Sequence, residues 1–190
     1  MRKLKLQMQL SVDGYVAGPN GEMDWMTWNH DPEILKYITD LTDTSGTIVM
    51  GRKLAEGFIP YWENASKNPN DPSNPFAYKM VDMPKVVFTK TIAKSSWDNT
   101  EVATGDVTEE INKLKSGNGK DIIVYGGATF VSDLIKKNLI DEYHLFINPT
   151  IIGNGMAIFK EVEQKLKLKL VKASPFSCGI VVLTYQPADK

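Results

Sequence analysis

Twice in this chain a short run suited to a buried strand ends at glycine and gives way at once to a helical pattern. "TIVMG" (47–51) is followed by "RKLAEGF", and "DIIVY" (121–125) is followed by "GGATFVSDLIKK". Strand-then-helix alternation through the middle of a chain implies a mostly parallel sheet with helices on both faces. In such sheets ligands bind beyond the carboxyl ends of the strands, where strand-to-helix turns expose backbone N–H groups. Gly51, Gly126 and Gly127 fall at those turns. Two adjacent glycines pack no side chain and cost backbone entropy. Either a tight turn or a close-approaching ligand accounts for them.

The flanking segments fill in the frame. Leu4, Leu6, Met8 and Leu10 alternate with Lys3, Lys5, Gln7 and Gln9, a first strand with one polar-leaning face. Asp13 to Asn29 reads as a loop. Asp31 is suited to cap the following helix, with Pro32 in its first turn and Ile34, Leu35 and Ile38 on its apolar face. "RKLAEGF" reads as a short helical turn. Residues 60–84 hold five prolines and four asparagines, the marks of a long excursion that either closes over a substrate or covers the sheet edge. "KVVFT" (85–89) resumes a strand. Asp106 caps "VTEEINKLKS" and Gly117 ends it. Asn138 ends the helix after the glycine pair, and "DEYHLFINP" is a further strand. "KLKLKLVKA" (165–173) and "GIVVLTYQP" (179–187) form a terminal antiparallel hairpin that makes the sheet mixed. Lys165, Lys167 and Lys169 read as a solvated edge rather than a polyanion site.

Composition excludes several chemistries. The net charge of −1 over 190 residues gives no field for nucleic acid or an anionic membrane. One cysteine, Cys178, rules out an internal disulfide framework and fits a reducing compartment. Gln7, Gln9 and Asp13 interrupt any signal-peptide apolar region, and no run approaches a membrane span. A single cytoplasmic domain over 1–190 is expected. With two histidines, His30 and His144, and one cysteine, no closed Cys/His zinc site can form, and no metal is expected. The chain lacks a G-x-S-x-G elbow, a G-x-x-x-x-G-K-[ST] loop and a G-x-G-x-x-G after its first strand. What remains is suited to phosphate: "VMGRK", with Arg52 and Lys53 at a helix start; "VFTK", with Thr89 and Lys90 at a strand end; and "YGGATF" at a second helix start.

The order "LSVDGYVAGPNGEMDW", "VMGRK", "VVFTK", "VYGGATF" and "NPTIIGNGMAIF" resembles the dihydrofolate reductase-like superfamily. It is most similar to the branch of the reductase domain of the bacterial riboflavin-biosynthesis deaminase/reductase, from about Leu4 to Tyr185. Gly153-Asn154-Gly155 after Asn148-Pro149 points to that branch. The resemblance implies a three-layer α/β/α fold with a mostly parallel mixed sheet and a C-terminal antiparallel hairpin. It also implies an NADPH-dependent reductase forming a homodimer. Carried over, Val16 and Ala17 would border the nicotinamide, and Gly51 and Arg52 would meet the adenosine phosphates, with Lys53 beside them as a further cofactor-binding candidate. Thr89 and Lys90 would hold the 2′-phosphate, and Gly126, Gly127, Ala128 and Thr129 the pyrophosphate. The family's glycine pair is joined by a cis peptide, which is expected here too.

Hydride transfer to a small heterocyclic or sugar-linked substrate would follow, with Trp25 and Trp28 walling the pocket. Asp31 is the first candidate for proton delivery, with Glu33 and Asp24 the other acids near that place, although a cap before Pro32 also accounts for Asp31. Where classical dihydrofolate reductase has a phosphate-binding threonine this chain has Leu54, and its acid-orienting threonine is Phe146 here. A pyrimidine ribosylamine reductase is therefore the leading expectation, with dihydrofolate reductase and an NADPH-binding protein without turnover as alternatives. The deaminase's H-x-E…P-C-x-x-C signature is absent, so deamination in that pathway is expected on another polypeptide.

Overall fold

A computed structural model describes residues 1–27, 32–71 and 74–188. In chain order the elements are β1 (Leu4–Leu10), β2 (Tyr15–Ala17), α1 (Pro32–Asp43), β3 (Ser45–Gly51), α2 (Arg52–Lys67) and α3 (Asn74–Asp82). They continue as β4 (Lys85–Phe88), β5 (Thr100–Ala103), α4 (Val107–Ser116), β6 (Asp121–Val124), α5 (Ala128–Lys136) and β7 (Glu142–Ile147). The chain closes with β8 (Met156–Ala157), β9 (Leu168–Pro175) and β10 (Val181–Pro187).

Eight strands form one sheet in the order β5-β4-β3-β6-β1-β7-β10-β9. The first six run parallel, and β10 and β9 are antiparallel additions at one edge. Helices cover both faces. On one, Ile111 of α4 and Val131, Leu134 and Ile135 of α5 pack on Leu4, Leu6, Val49, Ile122 and Val124. On the other, Leu41 of α1, Ala55 and Ile59 of α2 and Met80 of α3 pack on Ile48, Met50, Val87 and Ile123. Alternate residues of each central strand thus feed opposite cores, and β1, fourth in from the β9 edge, is covered on both sides. Its polar-leaning face lies under α1, where Lys5 is 7% exposed and its amine bonds Asp121 at 2.9 Å and Thr44 Oγ1 at 2.8 Å.

The segment expected as a short turn and a long excursion is mostly helix. α2 runs 16 residues with Pro60 inside it, and α3 follows after a brief connection. Pro60 removes only the bond to the carbonyl of Glu56, an exposed residue. Burial outweighs that loss: Trp62 packs edge-on against Phe58 at 6.0 Å and Phe76 of α3 at 5.4 Å. Asn74 Nδ2 donates to the carbonyls of Ala65 at 3.0 Å and Ser66 at 2.9 Å, satisfying the end of α2. Three short strands, β2, β5 and β8, lie where no strand was expected. Among the described residues no helix is long and apolar enough to cross a membrane.

Candidate active site

β3 and β6 are neighbours, and their carboxyl ends stop together. The N–H of Gly51 donates to the carbonyl of Gly126 at 3.4 Å. Gly51 is the N-cap of α2 and Gly127 the N-cap of α5, so two helix N-termini start side by side from opposite faces of the sheet. Neither has a side chain capping its first-turn N–H groups. α4 differs: the Asp106 carboxylate accepts from the N–H groups of Thr108 at 2.8 Å and Glu109 at 3.2 Å. Uncapped N–H groups and two aligned helix dipoles make the Gly51–Gly127 junction a place for an anion.

Each glycine there has its own reason. A Cβ on Gly51 would stand 3.1 Å from Phe130 Cβ, so its absence lets α5 approach the strand end. Gly126 has φ of 145°, which L side chains rarely adopt, and makes the turn. A Cβ on Gly127 would meet nothing within 4 Å, which leaves the space over α5's first turn open. The expected cis bond between the two glycines is corrected: among the described residues every peptide is trans, and the Gly126 backbone supplies the reversal.

The other expected cofactor residues surround this junction unevenly. The Arg52 guanidinium is ion-paired with Glu56 one turn along α2, and Lys53 is exposed. At the end of β4 the Thr89 N–H donates to Ala103 O at 3.1 Å, and Thr89 Oγ1 accepts from the Thr91 N–H at 3.1 Å. Lys90 is exposed beside it. Ala128 is half-buried and Thr129 exposed on α5's first turn. Val16 and Ala17, each 7% exposed, lie on β2, which pairs with β8. A Cβ on Gly155 would fall 2.2 Å from Ala17 O, so the G-x-G motif lets the β8 segment close on β2. Asp13 fixes that loop by accepting from the N–H groups of Ile152 at 3.2 Å and Gly153 at 2.7 Å. A hydrogen bond from Ser11 and these two hold its carboxyl below the usual carboxylate range.

On the substrate side, Trp25 is half-buried, with its indole N–H on Glu22 O at 3.1 Å and its own carbonyl accepting from Thr150 Oγ1 at 3.3 Å. Asn148, fully buried at the end of β7, accepts from the Thr27 N–H at 2.9 Å and donates to Gln9 Oε1 at 2.8 Å. Asn148 therefore ties the tryptophan segment to β1. Glu33 is exposed in the first turn of α1. Trp28 and Asp31 lie outside the described residues. Phe146 is fully buried against Tyr37 at 5.7 Å.

Beneath α1 runs a polar chain that sequence reasoning missed. Tyr37 OH donates to His144 Nδ1 at 2.7 Å, and His144 Nε2 donates to Glu142 Oε1 at 2.7 Å. Those bonds, with Gln186 on the other oxygen, draw the Glu142 carboxyl down to about 2, while burial pushes the Tyr37 phenol up. Asp13, Asn148 and His144 each act through partners more than 100 residues away in sequence, so no local pattern marks them.

The RibD C-terminal domain family model matches residues 2–182. The chain belongs to this family. It is 35% identical over 186 residues to the protein YyaP of Bacillus subtilis (strain 168), covering 97% of this chain and 94% of that one. Among solved structures it resembles the diaminohydroxyphosphoribosylaminopyrimidine deaminase/5-amino-6-(5-phosphoribosylamino)uracil reductase of Thermotoga maritima. There the TM-score is 0.69 at 18% identity, over 98% of this chain and 57% of that chain. It also resembles Enterococcus faecalis dihydrofolate reductase complexed with NADP(H), with a TM-score of 0.64 at 18% identity over 98% and 97% of the two chains. The fold of this RibD C-terminal domain is thus dihydrofolate reductase-like.

Proposed function

We propose that the protein is an NADPH-dependent reductase resembling 5-amino-6-(5-phosphoribosylamino)uracil reductase, passing a hydride to a small heterocyclic or sugar-linked substrate. The observation that carries this reading is the pair of uncapped helix N-termini at Gly51 and Gly127, with open space over the second. The residues present suit a dinucleotide. N–H groups of Arg52 and Lys53 on α2 and of Ala128 and Thr129 on α5 would take the phosphates, with Gly51, Gly126 and Gly127 permitting close approach. Thr89 and Lys90 would hold the 2′-phosphate, and Val16 and Ala17 would border the nicotinamide. NADPH when bound would supply the hydride. The chain's own part is to orient the substrate against Trp25 and Trp28, exclude water and deliver a proton, for which Asp31 and then Glu33 are the candidates. Homodimerisation belongs to the same proposal and is read directly by light scattering in solution.

The test is oxidation of NADPH, followed by absorbance, on adding 5-amino-6-(5-phosphoribosylamino)uracil to the purified protein. Turnover that needs both components and is lost in Gly127→Val supports the reading. NADPH binding without oxidation would leave a cofactor-binding protein, and oxidation only with dihydrofolate would move the activity to folate.

A further inference from the structure

One of the two helices that open onto the proposed cofactor junction is charged against the usual rule. Helix N-termini carry partial positive charge, so acids belong in the first turn and cations in the last. α4 follows that rule, with Glu109 and Glu110 in its first turn and Lys113 and Lys115 in its last. α1 places Glu33 in its first turn, and α5 keeps its one cation, Lys136, for its last. α2 is reversed. It opens on Arg52 and Lys53, has no acid in its first turn, and no side chain caps the N–H groups there. Two cations so placed oppose the helix dipole, and an anion over the first turn offsets them.

The chain supplies one such anion itself. The Arg52 guanidinium pairs with Glu56, four residues along α2. A cation placed before its acid is the weaker order for such a pair. Both side chains also reach water, Arg52 with 31% and Glu56 with 51% of its surface exposed, and exposed pairs contribute little. Lys53 has no counterpart of this kind. The residue four positions after it is Gly57, exposed, where an added Cβ would meet nothing within 4 Å. Arg52 directly follows Gly51, whose N–H meets the Gly126 carbonyl, so the loosely held Glu56 occupies the cation beside the junction.

We propose that Glu56 is a resident counter-ion that a phosphate displaces from Arg52, and that this exchange sets how tightly the junction holds its anion. With nothing bound, Glu56 offsets the charge of Arg52 and holds the guanidinium along α2. An incoming phosphate competes with that carboxylate for the same N–H donors. One ion pair is broken as another forms, so the net gain is smaller than an unpaired arginine would give. Glu56 touches no ligand in this scheme and acts through Arg52. Gly57 is the complement: by leaving Lys53 without an acid, it keeps the second cation available. The inference rests on the reading that this junction takes the phosphates of NADPH.

The test measures binding of NADPH, and separately of inorganic pyrophosphate, to the full chain by calorimetry at low and high ionic strength. Glu56→Gln keeps the size of the side chain, and Gly57→Glu replaces a glycine at an exposed helical position, so both variants are expected to fold. Glu56→Gln should bind each anion about threefold more tightly than wild type at low ionic strength. Gly57→Glu should bind about threefold more weakly, by giving Lys53 the partner it lacks. With Arg52→Gln already present, Glu56→Gln should lose most of its gain. The gain should also shrink at 1 M salt, where charges are screened within about 3 Å. Equal NADPH affinity in wild type and Glu56→Gln, or the full gain without Arg52, overturns the proposal and leaves the reductase reading standing. Pyrophosphate binding in the expected order, with no binding of NADPH, supports the role of Glu56 and removes the reductase reading. Binding of neither overturns both.

Discussion

At the amino ends of the parallel strands three lysines are buried, and each amine is tied down. Lys5 bonds Asp121 and Thr44, Lys85 donates to the carbonyls of Val81 and Met83, and Lys115 donates to Leu139 O at 2.6 Å and pairs with Asp141 at 2.5 Å. At the carboxyl ends of the same strands the arrangement reverses. Two helices begin without caps, and a glycine leaves open space. Buried charges survive only when paired, so the chain itself ties down the buried cations at the first end. Unsatisfied donors at the second end are stable only beside water or a ligand. One sheet thus has a structural end and a receptive end.

The contrast can be broken most heavily at the structural end. Asp141 pairs with Lys115 and also accepts from the Leu4 N–H at 2.8 Å. Asp141→Ala strands a buried cation and should cost about 3 kcal/mol in denaturant unfolding, with any NADPH-induced stabilisation unchanged. Gly127→Asp sharpens the comparison by giving α5 the kind of carboxylate cap that Asp106 gives α4. Free-protein stability should stay within about 1 kcal/mol, while the NADPH effect, about 2.7 kcal/mol at a hundredfold excess over Kd, should vanish.

A smaller effect is expected from acid. The Glu142 carboxyl lies at about 2, below its ordinary 4.5, so it binds fewer protons folded than unfolded near pH 4. Its contribution is therefore complete above about pH 4.5 and is lost as pH falls towards 2. Glu142→Gln should flatten the fall in melting temperature across that window. Asp106→Ala should give the smallest change, a modest loss of melting temperature from an exposed cap, with no effect on ligand.

The receptive end was legible where backbone chemistry is local. Gly51 and Gly126-Gly127 sit at strand-to-helix turns, and Asp106 caps α4 as the spacing predicts. α2 was read short because Pro60 signals a break, yet Trp62 and Phe76 hold the helix through contacts no local window contains. β5, β2 and β8 are too short to alternate visibly and exist through distant partners. Alternation on β1 told which side Lys5 and Gln7 take, but not that a helix would bury that side. For the same reason Asp13 read as loop polarity and Asn148 as the end of a strand, although both stitch together segments far apart in sequence.

The most direct test of the receptive end is the melting temperature of the pure protein with NADPH, NADH and NADP⁺, in wild type and Gly127→Val. The account predicts a rise of roughly 5–10 °C with saturating NADPH, much less with NADH, and none in the variant. No rise at millimolar NADPH, or an equal rise in Gly127→Val, would contradict it and return the glycine pair to the role of a tight turn.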